Sequence, residues 1–260
     1  EFMVLANVAA AEALEKARTP LIYRVHDTPT KEKLFAFSDF LRTLNITFAK
    51  GQVMQPGTFN RILSTAKGTP HEAVMNDVVL RSQARAIYDP ANIGHFGLNL
   101  AKYAHFTSPI RRYADLIVHR ALIRAFELGD GGLTDREMAS LGGVAEHITM
   151  TERRAMAAER DSTDRYVAAF MEDRIGQTFD ARVSGVTRFG LFVRLADCGA
   201  DGLIPIRSLG ADFFQHDEKR QALIGSRTRV SYGMGDVLQV KLMEAARVTA
   251  GLLFSLAGGT

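Results

Sequence analysis

At Gly176 the apolar spacing of this chain changes. Before it, apolar residues recur at the three- and four-residue intervals of helices, and from Gln177 onward they alternate, with Phe179, Ala181 and Val183 on one face. Further strand-like runs follow at 189–195, 202–205, 229–232, 237–242 and 248–256, with glycines at the corners. Five or six short strands in so few residues predict a small closed barrel. The expectation is an α+β chain, mainly helical over 1–174 and a five-stranded barrel over 175–260, with the boundary near 174–176.

Within the helical part, 1–18 has helical spacing closed by Thr19-Pro20, and 21–26 reads as a short strand. Asp27-Thr28-Pro29-Thr30 opens a helix over 31–44, Pro56-Gly57-Thr58 caps one over 59–67, and Thr69-Pro70 opens one over 72–86. Helices are also expected at 109–127 and, whole or in two pieces, at 134–172. Gly94-His95-Phe96-Gly97-Leu98 sets aromatics beside flexible backbone, which implies close packing there.

Composition narrows the function classes. A single cysteine, Cys198, excludes an internal disulfide framework and a cysteine zinc site, and suits a reducing cytoplasm. No run approaches the ~18 apolar residues of a membrane span, so no membrane partner is expected. The apolar run 2–11 lacks preceding basic residues and is read as helix rather than signal core. With 32 basic residues against 29 acidic ones, any polyanion footprint must be local.

That footprint is sought in His105-Phe106-Thr107-Ser108-Pro109-Ile110-Arg111-Arg112-Tyr113-Ala114-Asp115-Leu116, followed by Val118-His119-Arg120. Pro109 disfavours a helical Ser108, so the helix is expected to start at Pro109 with Arg111 and Arg112 in its first turn. Two cations there oppose the helix dipole at a cost of up to about 1 kcal/mol, which a bound phosphate removes. The alternative is that both arginines are solvated or paired to Asp115. On the barrel, Gly185 and Gly190 flank a hairpin that carries Arg188, Phe189, Phe192 and Arg194. Aromatics among arginines suit stacked bases, at about 1–3 kcal/mol each. Because 189 and 192 are oddly spaced, at least one phenylalanine is expected to be buried.

Several runs together resemble one family. Glu1-Phe2-Met3-Val4-Leu5-Ala6-Asn7, Tyr23-Arg24-Val25-His26-Asp27, Ala86-Ile87-Tyr88, Gly94-His95-Phe96-Gly97-Leu98, Tyr103-Ala104-His105 through Tyr113 and Glu152-Arg153-Arg154-Ala155 resemble the second half of the RNB catalytic domain of ribonuclease R and ribonuclease II. The central motif is nearer the ribonuclease R form. Residues 177–256, with Val183-Ser184-Gly185-Val186-Thr187-Arg188-Phe189-Gly190-Leu191-Phe192-Val193, are similar to the S1-type RNA-binding domain, an oligonucleotide-binding barrel.

The resemblance implies a cytoplasmic, processive 3′-to-5′ exoribonuclease that releases nucleoside monophosphates from single-stranded RNA with magnesium. It gives Arg111 the scissile phosphate, Ser108, Arg112 and Tyr113 the phosphate path, and Glu159 the terminal ribose, where an acceptor reads the 2′-hydroxyl. Glu159 paired to Arg160 or another helix neighbour is the other reading. His119 and Arg120 are phosphate contacts or supports, and His105 is a packed, hydrogen-bonded histidine.

The family's metal-holding aspartate cluster lies in the first half of its domain and does not occur in this sequence. Asp161 and Asp164, on a charged helix, are expected to be solvated or salt-bridged. The chain is thus expected to be the C-terminal part of a larger nuclease, with no metal held by this chain alone and the N-terminal part as its partner. Phe2, Leu5 and Leu14 are then expected to be exposed. A non-catalytic module for single-stranded RNA is the alternative, and a barrel-bearing translation factor a third reading. RNA-decay or ribosome-associated partners are not specified.

Overall fold

The computed structural model describes residues 1–48 and 54–258. They form two compact units, the first centred on Glu1–Thr30 and Ser82–Met156, the second on Ile62–Arg81 and Ala157 onward. No helix among the described residues is long and apolar enough to cross a membrane.

In the first unit, helix α1 (Phe2–Lys16) buries Ala10, Ala11 and Leu14 against a core shared with Ile22, Val25, Ile117, Val118 and Ala121. Leu14 is therefore fully covered, contrary to expectation, while Phe2 and Leu5 are exposed. Position 14 falls on the helix face that meets the core, one turn beyond Ala10 and Ala11. Strand β1 (Tyr23–Val25) pairs antiparallel with β2 (Ile87–Asp89), a strand that helical spacing over 72–86 did not anticipate. Three residues are too few to carry a period.

Two further helices are shifted from their expected bounds. Helix α3 (Pro56–Ala66) begins at its proline, where the missing N–H costs nothing, and α4 (Glu72–Ser82) ends four residues early. Helix α2 (Lys31–Thr43) lies where the turn at 27–30 predicted it. Gly97 confirms the expected close packing, since a Cβ there lies 3.2 Å from the His26 ring.

The predicted region 134–172 is two helices, α6 (Asp135–Ala139) and α7 (Leu141–Met171). Thr134 caps α6 in a reciprocal box with Glu137. In the second unit, β3 (Thr178–Thr187), β4 (Gly190–Leu195), β5 (Asp201–Pro205), β9 (Val237–Ala246) and β10 (Gly251–Leu256) close into a five-stranded barrel in the order β10-β5-β4-β3-β9. Its core of Val183, Leu191, Val193, Ile204, Val240, Leu242 and Phe254 also takes in Ala168 and Met171 of α7. The run at 229–232 is not a barrel strand. It contributes β8 (Ser231–Gly233) to a separate three-stranded sheet with β6 (Phe214–Asp217) and β7 (Ala222–Gly225).

Candidate functional site

The arginine motif forms a loop held from beneath. Asn7, buried inside α1, donates to the Tyr103 hydroxyl at 3.0 Å and accepts from the Phe106 and Thr107 amides at 2.9 and 3.2 Å. Helix α5 (Tyr113–Phe126) begins at Tyr113, four residues later than expected, with Arg112 as its N-cap in extended conformation. The amides of Arg111 and Arg112 instead close a turn on the Ser108 carbonyl. Asp115 holds that turn, because its carboxylate accepts from the Ser108 amide at 2.7 Å and from the Arg112 guanidinium at 2.8 Å. Asp115 has no solvent exposure. A carboxylate in the first helical turn also suits the helix dipole, which makes Tyr113 the better start.

The two adjacent arginines thus divide the two readings between them. Arg112 is committed to the buried Asp115, whereas Arg111 is exposed and meets no carboxylate among the described residues. Ser108 is half-buried on this loop, and Tyr113, the first residue of α5, is exposed.

Below the loop lies a run of rings. His105 is hydrogen-bonded to the Tyr88 hydroxyl at 2.9 Å and packs edge-on against Tyr103, which packs edge-on against His95. Burial, then the charges of Arg112 and Arg24, push His105 down to about 4, and burial likewise takes His95 to about 4. Both are neutral spacers at neutral pH, in keeping with a packed His105. Arg24 pairs with Glu152 at 2.8 Å and lies 4.5 Å over the Tyr88 ring.

His119 and Arg120 resolve as supports. His119 stacks on Phe106 and bonds its carbonyl at 2.9 Å. Arg120 is bidentate to Glu137 at 2.7 and 2.9 Å and reaches the Gly131 and Gly132 carbonyls. Sequence reasoning gave Asn7 no role; an amide inside the otherwise apolar run 2–11 is the signal that something distant needs its hydrogen bonds.

On the barrel, both hairpin phenylalanines are exposed, Phe189 at 55% and Phe192 at 39%, and their rings meet edge-to-face at 6.2 Å. The expectation that one is buried fails because Phe189 lies in the turn before β4, where strand alternation does not apply. Arg188, in the same turn, is exposed without a carboxylate partner among the described residues. Arg194 is held by Asp201, its cross-strand neighbour, at 3.0 and 3.1 Å. Glu159 is exposed on α7, with no ion pair to Arg160 among the described residues, and Asp161 pairs with Arg165 at 3.0 Å. Among the described residues no three His, Cys, Asp or Glu side chains come together as a metal set.

Comparison with known proteins finds two family matches along the chain. The RNB domain matches residues 1–127 and the S1 RNA binding domain residues 172–245. The chain is 40% identical over 253 residues to ribonuclease R of Escherichia coli (strain K12), covering 93% of this chain and 31% of that protein. It is 38% identical over 255 residues to ribonuclease R of Aquifex aeolicus (strain VF5), covering 98% and 36%. The structure of Mycoplasma genitalium RNase R in complex with ribose methylated single-stranded RNA superposes with a TM-score of 0.90 at 32% identity, over 98% of this chain and 40% of that one. The chain therefore spans about a third of the length of the curated relatives it matches.

Proposed function

Because this chain belongs to the RNB family of ribonuclease R and carries an S1 RNA-binding domain, we propose that it supplies the phosphate-gripping loop and the RNA-binding barrel of a processive 3′-to-5′ exoribonuclease. The substrate is single-stranded RNA and the product nucleoside 5′-monophosphate, with the cytoplasm as its compartment. The RNB part is taken as 1–174 and the S1 barrel as 175–260. The observation that carries this reading is the unequal pair: Asp115 fixes Arg112, and the fixed turn presents Arg111 with an uncommitted guanidinium. A planar, permanently charged fork suits a phosphate on which charge builds during hydrolysis.

In this reading Arg111 is the catalytic residue, because it touches the scissile phosphate. Ser108, Arg112 and Tyr113 shape the phosphate path, and Glu159 accepts from the terminal ribose 2′-hydroxyl, which favours RNA over DNA. Phe189 and Phe192 stack bases beside Arg188 and Arg194. Magnesium is the metal of the whole enzyme in this proposal. The described residues present no donor set that fits it, so none of these roles is routed through it. The RNA held by the Mycoplasma genitalium relative supports the substrate class.

The test is digestion of 3′- and 5′-labelled single-stranded RNA with magnesium, run beside filter binding of the same oligonucleotide. The chain is expected to bind, and binding without cleavage identifies its contribution as the loop and barrel; no binding overturns the reading. In a longer relative that degrades RNA, the Arg111→Ala equivalent is expected to lower turnover by orders of magnitude with little change in RNA affinity. Equal losses in both would mean that Arg111 only binds.

A further inference from the structure

Helix α4 touches the barrel, within the second unit, along one face at helical spacing. Val74 lies against the turn before β9, 3.2 Å from where a Cβ on Gly235 would stand. One turn on, Asp77 is near enough to Arg194 to stabilise its charge. Two turns from Val74, the Arg81 guanidinium donates from Nη2 to the Ser184 carbonyl at 2.7 Å. Positions 74, 77 and 81 share a helix face.

Ser184 precedes Gly185, and Gly185 is paired across the hairpin with Phe192. A Cβ on Gly185 would stand 3.4 Å from the Phe192 Cβ, 3.5 Å from its Cδ2 and 3.8 Å from the Arg81 Nη1. An aromatic ring and a guanidinium therefore flank the same bare stretch of backbone. Arg81 is exposed, and its hydrogen bond among the described residues is to that carbonyl. Five donors on one guanidinium leave the others open. Arg194, by contrast, has its charge matched by Asp201.

We propose that Arg81 is a nucleic-acid contact: it grips a phosphate of a single-stranded polynucleotide whose base stacks on the Phe189–Phe192 pair. The inference rests on the reading of the barrel as an RNA-binding surface and extends it to a helix outside the barrel. An aromatic pair alone is tolerant of any base, and an adjacent fork fixes the backbone against it. The Ser184 bond holds the fork in place before the ligand arrives, so less freedom is lost on binding.

Filter binding of an oligouridylate over a salt series tests this with the full chain, Arg81→Gln, Arg81→Lys and a Phe189→Ala/Phe192→Ala double variant. Glutamine keeps an N–H donor on a shorter stem and removes the charge, and lysine keeps the charge without the fork. Arg81→Gln is expected to weaken binding about tenfold and to flatten the slope of log K against log salt by about 0.7, with Arg81→Lys restoring the slope. An Arg81→Gln slope equal to the unsubstituted chain's overturns the proposal and leaves the barrel reading standing. Binding that the double phenylalanine variant does not weaken overturns both. On the unsubstituted chain, RNA is expected to protect Arg81 from phenylglyoxal, mapped by mass spectrometry; unprotected Arg81 in a chain that binds also overturns the proposal, whatever the fold of the variants.

Discussion

Arg111 and Arg112 are the same residue type at adjacent positions, and nothing in their own spacing separates them. The separation comes from Asp115, which is fully buried and takes one of them. A paired buried carboxylate is costly to break from either side. Asp115→Ala would leave the Arg112 guanidinium without its counter-charge and release the Ser108 turn, and is expected to cost about 3–5 kcal/mol of stability. Arg111→Ala, on an exposed side chain, is expected to cost at most about 0.5 kcal/mol. Urea unfolding followed by circular dichroism checks both; comparable losses would mean that Arg111 is also held by the fold.

The histidines behind this loop give the chain a pH dependence of definite sign. His95 and His105 ordinarily titrate near 6.5 and are pushed down to about 4, chiefly by burial. The folded chain binds those protons less readily than the unfolded chain, so the stabilisation is complete above pH 6.5 and drains away as pH falls toward 4. The melting midpoint is expected to drop through that window, and to drop less steeply in His105→Gln. Identical slopes would remove His105 as a source.

At the level of elements, the barrel was legible because alternation over β3, β4, β9 and β10 is long enough to leave a signature. Strand β1 was read within 21–26, but its partner β2 was not, and neither were β6 and β7, whose three or four residues carry no period. The helical period of α4 shows that one face is covered but not by what, which is why Arg81 went unnoticed. Motif residues divide for a similar reason: the run 105–116 marked the arginines, but that Asp115 takes Arg112 and leaves Arg111 exposed shows only in the fold, and the supporting role of Asn7 depends on a contact 96 residues away.

Glycines at the barrel's close approaches make the element-level claim testable. A Cβ on Gly202 would stand 2.3 Å from Cε2 of the buried Phe254 ring and 2.7 Å from the Leu252 carbonyl oxygen, and backbone cannot yield. Gly202→Ala is expected to destabilise by about 1–3 kcal/mol. Gly143, in α7 with open space around its Cα, gives the opposite sign: Gly143→Ala is expected to stabilise by about 0.5–1 kcal/mol. Thermal melts of the two variants are expected to move in opposite directions, and a neutral Gly202→Ala would mean that the β5–β10 contact is looser than described.

For the molecule as a whole, sequence order and physical unit do not coincide. The barrel core includes Ala168 and Met171 from the end of α7, and α4 lays Val74 and Arg81 on the barrel's strands and turns although its sequence precedes them by more than a hundred residues. A chain shortened by removing 177–260 would therefore lose more than an RNA-binding surface. It would strip the cover from Ala168 and Met171 and leave the 74–77–81 face of α4 without its partner. An eleven-residue helix is below the length that holds in water on its own, so α4 depends on each face that is packed. Hydrogen exchange on the shortened chain is expected to show α4 amides exchanging markedly faster than in the full chain, while the α1 and α5 amides, whose core draws on Leu14, Ile117 and Val118, remain slow. Protected α4 amides in that chain would mean that residues before 177 fold without the barrel, and that losing RNA affinity on deletion reports on the barrel surface alone.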